Sequence, residues 1–152
     1  MLKFFIKYIY TLSRMFWLWV NPLSVGVRIL LIRDRQILLV NHVYNDLWYL
    51  PGGLLERRET FEDAARREAL EEVGAQVKDL ALFGVYTYHE KNNYDHVVAF
   101  ISHDFDVSGD TDEEIERWGF FELDDLPDKI SPGTRNRIQD YIDNETKRIG
   151  DW

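Results

Sequence analysis

The sequence predicts an α/β/α sandwich, a mixed β-sheet with helices on both faces. Three observations carry that expectation. Apolar residues run without strict alternation through 81–89 (ALFGVYTYH) and 96–102 (HVVAFIS), as in central strands covered on both faces. Two other segments, 60–73 and 132–147, space their apolar residues as helices do. No repeat, low-complexity tract or long linker divides the 152 residues, which suffice for one core.

Residues 1–20 (MLKFFIKYIYTLSRMFWLWV) are strongly apolar, yet Lys3, Lys7, Thr11 and Arg14 recur at spacings of four, four and three. Wound as a helix, they form one polar stripe. A spanning helix would tolerate Lys7 and Arg14 poorly, since a mid-bilayer charge costs at least about 2.5–3.5 kcal/mol. No small-residue cleavage site follows Val20. The expectation is an N-terminal amphipathic helix over 1–22, followed by one domain over 23–152. That helix packs on this domain or a homodimer partner, or lies on a membrane surface, with a true membrane anchor as the remaining alternative.

Asn21 and Pro22 end this first helix. Residues 24–32 (SVGVRILLI), rich in branched side chains, read as a strand; the polar turn 33–36 leads into a second strand at 37–40, forming a hairpin. A short aromatic piece, 47–50 (LWYL), precedes Pro51, Gly52 and Gly53. In the helix 60–73, Thr60 caps the start and Gly74 the end, with Phe61, Ala64, Ala65, Ala69 and Val73 near one side. The two central strands follow, joined by the turn EKNNYD. Residues 117–123 (RWGFFEL) make a last strand, and 132–147 a closing helix with Ile138, Tyr141 and Ile142 inward.

The net charge of −9 argues against tracking a nucleic-acid backbone, so no stable nucleic-acid partner is expected. An acidic protein that handles phosphate-bearing ligands usually uses a divalent cation to do so. The absence of cysteine excludes disulfides, thiolate metal sites and a cysteine nucleophile, and fits a cytoplasmic location, with the inner membrane face as the alternative that the N-terminal helix suggests.

Within the stretch GLLERRETFEDAARREALEEVG (53–74), Glu68, Glu71 and Glu72 fall at i, i+3 and i+4 of one helix. Like charges so placed repel by roughly 0.2–0.5 kcal/mol per pair. Such a patch is either a solvated face or a cation site. Gly52 and Gly53, just upstream, let the backbone approach a ligand closely and aim a carbonyl at it. Carboxylates plus a carbonyl form an all-oxygen set of the kind Mg²⁺ or Mn²⁺ prefers.

The wider spacing decides between the two readings. Gly53, Glu59, Arg67, Glu68, Glu71, Glu72 and Gly74 fill Gly-x5-Glu-x7-Arg-Glu-x-x-Glu-Glu-x-Gly, and the chain resembles the Nudix hydrolases over about Val25 to Ile138. At background frequencies of roughly 7% per position, chance gives this match about once in a million such chains. Two positions depart from the family pattern: Arg58 stands where glycine is common, and Ala69 where a bulky aliphatic is usual.

The resemblance implies a Nudix-type sandwich that hydrolyses a nucleoside diphosphate linked to another group, with Mg²⁺ or Mn²⁺. It implies Glu68 and Glu72 as metal ligands, with Glu71 a third and the Gly52 carbonyl a fourth. Glu59 and Arg67 would orient those carboxylates by ion pairing. The general base lies on the helix, as Glu71, or on the loop before the last strand, where Glu114 is preferred over Glu113 and Glu116 and Gly109 would aid movement. Trp48 leads a set of stacking candidates that includes Tyr44, Tyr49, Tyr86 and Tyr88; Arg28, Arg33 and Arg58 are candidates for phosphate. The proline that follows the motif in the ADP-ribose branch is missing, as is the upstream motif of the coenzyme A branch. A small nucleotide-type substrate, with a nucleoside triphosphate favoured, is therefore expected. Two other readings stay open: a catalytically silent nucleotide sensor, and a membrane-surface hydrolase of a lipid- or alcohol-linked nucleoside diphosphate. The histidines, His42, His89, His96 and His103, lack compact ligand spacing and read as ordinary strand and loop residues.

Overall fold

The computed structural model describes residues 23–90, 93–144 and 149–152. The expected helix over 1–22, with its membrane or dimer contact, lies outside the described residues. Among the described residues no helix is long and apolar enough to cross a membrane. The elements run β1 (Ser24–Arg33), β2 (Gln36–His42), β3 (Trp48–Tyr49), α1 (Phe61–Val73), β4 (Ala75–Val77), β5 (Ala81–Glu90), β6 (Asn93–Ser102), β7 (Phe105–Val107), β8 (Ile115–Glu122), α2 (Pro132–Ile142) and β9 (Ile149–Asp151).

The β1–β2 hairpin turns through Asp34 and Arg35 at φ 50° and 66°, the left-handed pair whose twist suits a two-residue loop. The strands pair only at Ile32↔Ile37 and Arg33↔Gln36, and then part. β1 continues parallel to β6, from Ser24↔Asp95 to Leu31↔Ser102, while β2 runs antiparallel to β8. The chain itself fills the wedge between them. β3 pairs with Val40 and Asn41 of β2, and residues 51–55 pair with β1 through Val27 N–H to Gly53 O (2.9 Å), Ile29 N–H to Pro51 O (3.0 Å) and Leu55 N–H to Val25 O (3.0 Å). The mixed sheet is completed by β5, antiparallel to β6, and by β9, parallel to β5; β4 and β7 form a separate ribbon.

The core has two layers, one on each face of the sheet. Val27, Ile29, Leu31, Leu38 and Val40 pack with Ala64, Ala65, Ala69 and Val73 of α1. Leu30, Ile32, Ile37 and Leu39 point the other way, toward Ile138 of α2. β6 shows the two-sided burial that the sequence predicts for it, with Val98 and Phe100 in the first layer and Ala99 in the second, and the small alanine face lets α1 lie close to the sheet.

Three details differ from the sequence expectation. β5 is covered only in part: Phe83 and Tyr86 are buried, while Leu82, Val85 and Tyr88 are exposed. The closing helix stops at Ile142, capped by Asp143 and followed by Asn144 at φ 51°, so Ile142 is exposed while Ile138 is fully buried. Phe61, in the first turn of α1, is partly exposed rather than inward.

Candidate active site

Both ends of α1 are fixed by its own sequence. Thr60 Oγ1 accepts from Asp63 N–H (3.1 Å) while the Asp63 carboxylate accepts from Thr60 N–H (3.4 Å), a reciprocal capping box. Gly74 closes the other end at φ 64°. With the helix so framed, Glu72 is turned inward and 4% exposed, Glu68 is mostly buried, and the Glu71 side chain is half exposed.

The glycine loop is pressed between β1 and these carboxylates. Glu72 Oε2 accepts from Gly52 N–H at 2.9 Å. At Gly52, with φ 137°, a Cβ would lie 2.9 Å from the Arg28 Cα; at Gly53 it would lie 2.5 Å from Glu68 Oε1. Only glycine fits at the first, and a side chain at the second would displace the Glu68 carboxylate. Pro51 O and Gly53 O both bond to β1, which leaves the Gly52 carbonyl between them without a hydrogen-bond partner.

Arg67 ties the loop to the helix. Its Nε and Nη2 donate to the two Glu59 oxygens (2.8 and 3.0 Å), Nη1 donates to Glu68 Oε1 (2.7 Å) and Glu71 Oε2 (3.1 Å), and Nη2 also reaches Leu54 O (3.1 Å). The bidentate fork holds Glu59 well below the usual carboxylate range. Burial pushes Glu72 up to about 8, against the pull of Arg28 and the Gly52 N–H, and raises Glu68 against the pull of Arg67. His42 stands beside Glu72 and is pushed down to about 4 by burial, with Arg28 adding to it. A β-bulge between Asn41 and His42 accompanies the turn of the His42 side chain toward the helix.

Among the described residues no three acidic or histidine side chains stand as a ready metal cage. The donor set that lines the cleft is smaller: Glu68, Glu72 and the unpartnered Gly52 carbonyl, with Glu71 half exposed and, like Glu68, bonded to Arg67 Nη1. One or two carboxylates completed by water and phosphate oxygens is the set Mg²⁺ typically takes, so the residues fit a hard divalent cation. A cation there would also relieve the burial that disfavours both charged carboxylates.

These groups open on a cleft of about 650 Å³ lined by Glu68, Glu72, Arg28, His42, Tyr44 and Glu114. Arg28 Nη1 is buried in it without a hydrogen-bond partner. His42 and Tyr44 stack in parallel, 5.0 Å apart, on its wall. Burial raises Glu114, with Asp112 and Glu71 adding to the effect. The loop that carries Glu114 is anchored rather than free: Ser108 N–H bonds Gly74 O (3.1 Å), Gly109 N–H bonds Val73 O (3.1 Å) and Asp112 N–H bonds Glu71 O (3.0 Å). Gly109 takes φ 81° in this turn, the left-handed backbone that glycine favours.

The structure therefore brings Gly52, Arg67, Glu68, Glu72, Arg28 and Glu114 together on one cleft, with Glu59 and Glu71 joined to it through Arg67. Other sequence candidates stand elsewhere, Tyr49, Tyr88 and Arg33 among them. Trp48 packs edge-on against Phe121 at 4.8 Å, and Tyr86 lies under Arg137 at 3.9 Å; both belong to the core layer beneath α2 and do not line the cleft. Arg58 is exposed, at φ 70°, outside the cleft. That left-handed backbone is the conformation glycine favours, which explains why the family pattern has glycine there. Sequence reasoning missed His42, Ser24 and Asp95 as cleft residues. The His-x-Tyr alternation at the end of β2 was a usable signal for His42; Ser24 and Asp95 meet only through a strand register no local pattern gives.

A family model for the NUDIX domain matches residues 22–141. The chain is 34% identical over 134 residues to an ADP-ribose pyrophosphatase of Methanocaldococcus jannaschii, covering 82% of this chain and 76% of that protein. It is 33% identical over 112 residues to an NAD-capped RNA hydrolase NudC of Chromobacterium violaceum, covering 69% of this chain and 40% of that protein. In structure it is similar to a MutT NUDIX hydrolase of Burkholderia pseudomallei, with a TM-score of 0.70 at 28% identity, over 78% of this chain and 97% of that one.

Proposed function

This chain belongs to the Nudix family, and from that premise we propose that it is a divalent-metal-dependent pyrophosphohydrolase of a small nucleotide, using the cleft between α1, the Gly52–Gly53 loop and β1. The observation that carries the reading is the buried Glu72 and mostly buried Glu68 packed against the Gly52–Gly53 loop, where Gly52 admits no side chain, facing an unpartnered Arg28 guanidinium nitrogen.

Glu68, Glu72 and the Gly52 carbonyl would hold the cation, Mg²⁺ or Mn²⁺. When bound, it supplies charge neutralisation at the phosphate oxygens and acidifies water. Arg28 receives a phosphate oxygen with the Nη1 that has no protein partner. Arg67 and Glu59 position Glu68 and Glu71. Glu114 takes the proton of a water that attacks phosphorus; the anhydride P–O bond breaks, and the leaving phosphate carries away the electron pair. We favour a nucleoside triphosphate or a related small diphosphate. The relative named for ADP-ribose makes that compound the necessary competitor.

The test is phosphate and pyrophosphate release over a nucleotide panel that includes ADP-ribose, with Mg²⁺ or Mn²⁺, for wild type and Glu72→Gln. Metal-dependent cleavage of at least one compound is expected, reduced at least about a hundredfold in the variant. Saturable binding without turnover of any compound would replace this reading with a sensor.

A further inference from the structure

The end of the cleft away from α1 is built from β1 and β6. Ser24 and Asp95 are direct partners in the parallel pair, both are partly buried, and both line the cleft. Ser24 Oγ donates its hydrogen to Asp95 Oδ1. A hydroxyl has one hydrogen and a carboxylate has none, so what this pair offers a ligand is acceptors alone: Asp95 Oδ2 and the remaining lone pairs of Ser24 Oγ. Among the described residues Asp95 has no other hydrogen bond and no ion pair.

The position of the pair matters as much as its chemistry. Ser24 and Arg28 lie four residues apart on one side of β1, about 13 Å of strand. Arg28 lines the cleft together with Glu68 and Glu72 and buries an unpartnered Nη1 in it, which in the hydrolase reading is the phosphate end. Gly26, between them, presents no side chain. From Arg28 to Ser24 is therefore about the reach of a nucleoside bound by its phosphates.

We infer that Asp95, held by Ser24, determines specificity by reading the base of the nucleotide, and that it selects guanine. The inference rests on the hydrolase reading for the direction in which the substrate lies. An acceptor-only pair needs adjacent donors. The Watson–Crick edge of guanine sets N1–H beside its 2-amino group, two donors for one carboxylate. Adenine sets one amino group beside a ring nitrogen acceptor, and uracil sets one N–H between two carbonyls. Each of these turns a lone pair toward Asp95. Hypoxanthine keeps N1–H and lacks only the amino group.

The test measures calorimetric binding of GDP, IDP, ADP and 2′-deoxy-GDP to the full chain with Mg²⁺, alongside kcat/KM for the matching triphosphates. GDP is expected to bind about ten- to a hundred-fold tighter than IDP, and ADP weaker still, with the same order for the deoxy compound. Asp95→Asn, which keeps the shape and exchanges an acceptor for a donor, is expected to collapse the guanine-to-adenine ratio. Ser24→Ala is expected to reduce it, and serves if the first variant fails to fold. A ratio unchanged in either folded variant overturns the proposal. So does equal binding of GDP and IDP, and so does loss of the preference in 2′-deoxy-GDP, which would give the donor pair to the ribose hydroxyls. Selective binding without turnover would refute the hydrolase and leave this base reader standing; turnover without base selectivity would do the reverse.

Discussion

His42 Nε2 stands 3.8 Å from Glu72 Oε1, both side chains more than nine-tenths buried. At that distance there is no hydrogen bond, and burial pushes each group toward its neutral form, Glu72 up to about 8 and His42 down to about 4. Burial thus favours the protonated Glu72 in the metal-free protein, and a cation bound there as proposed would displace that proton.

The stability of the metal-free protein should carry the signature of this pair. Glu72 is raised on folding from 4.5, so its contribution is full below that value and is lost as pH rises through about 8. His42 is lowered from 6.5, so its contribution is lost in the opposite sense, as pH falls through about 4. The two slopes oppose each other between 4.5 and 6.5, and above 6.5 the Glu72 slope stands without that opposition. Thermal melts in chelator should show Tm falling from pH 6.5 to 8.5, a fall that Mg²⁺ reverses and Glu72→Gln flattens. An equally steep fall in the variant would remove Glu72 as its source.

Alanine at the two loop glycines should separate folding from chemistry. At Gly52 the added Cβ meets backbone at a φ of 137°, so Gly52→Ala should lose at least about 1–3 kcal/mol in a denaturant titration. At Gly53 the Cβ meets the end of a flexible side chain, Glu68 Oε1 at 2.5 Å. Gly53→Ala should fold with nearly the parent Tm, yet lose about a hundredfold in kcat through a displaced carboxylate. Equal Tm losses in the two variants would show that the loop answers to the sheet alone.

The sandwich was legible because local rules and tertiary packing agree in this chain. The Thr60 cap, the Gly74 stop, the alanine face of α1 and the two-sided strands each act over a few residues. The acidic end of the cleft was legible for the same reason: one helix and one loop supply Glu59, Arg67, Glu68, Glu72 and Gly52 within a single short stretch. Its other end was not. Ser24 and Asp95 are 71 residues apart and meet through the β1–β6 register, whereas Arg28, a phosphate candidate already in the sequence, does line the cleft. Trp48 and Tyr86 had the right chemistry for stacking, but aromatic identity does not say which face of a sheet a side chain takes.

Arg67 contacts Glu59, Glu68, Glu71 and the Leu54 carbonyl at once, a geometry that needs a planar, five-donor group. Lysine keeps the charge and loses the fork. Arg67→Lys should therefore weaken the metal dependence of kcat by about ten- to a hundred-fold, as loss of a ligand-orienting group does. A metal titration unchanged from the parent would mean that Glu68 is held by Gly53 and burial without help.

The last test concerns the proton of the attacking water. Glu114 lines the cleft, and burial with the nearby Asp112 and Glu71 raises its pKa, so its carboxylate is more basic than a surface glutamate. Glu71 has the same chemistry, yet it is half exposed, held by Arg67, and absent from the cleft lining. A base must be ionised to work, so kcat should fall as pH drops through the raised Glu114 value, giving an acid limb above the ordinary glutamate range. Glu114→Gln should lower kcat by about 10²–10⁴-fold and abolish that limb, while Glu71→Gln should lower kcat less and leave the limb in place. Because Asp112 Oδ1 accepts from the backbone N–H groups of Glu114 and Ile115, at 2.9 and 3.2 Å, the loop keeps its shape when the side chain changes. The comparison therefore reports on the proton rather than on the fold, and the reverse ranking of the two variants would move the base to the helix.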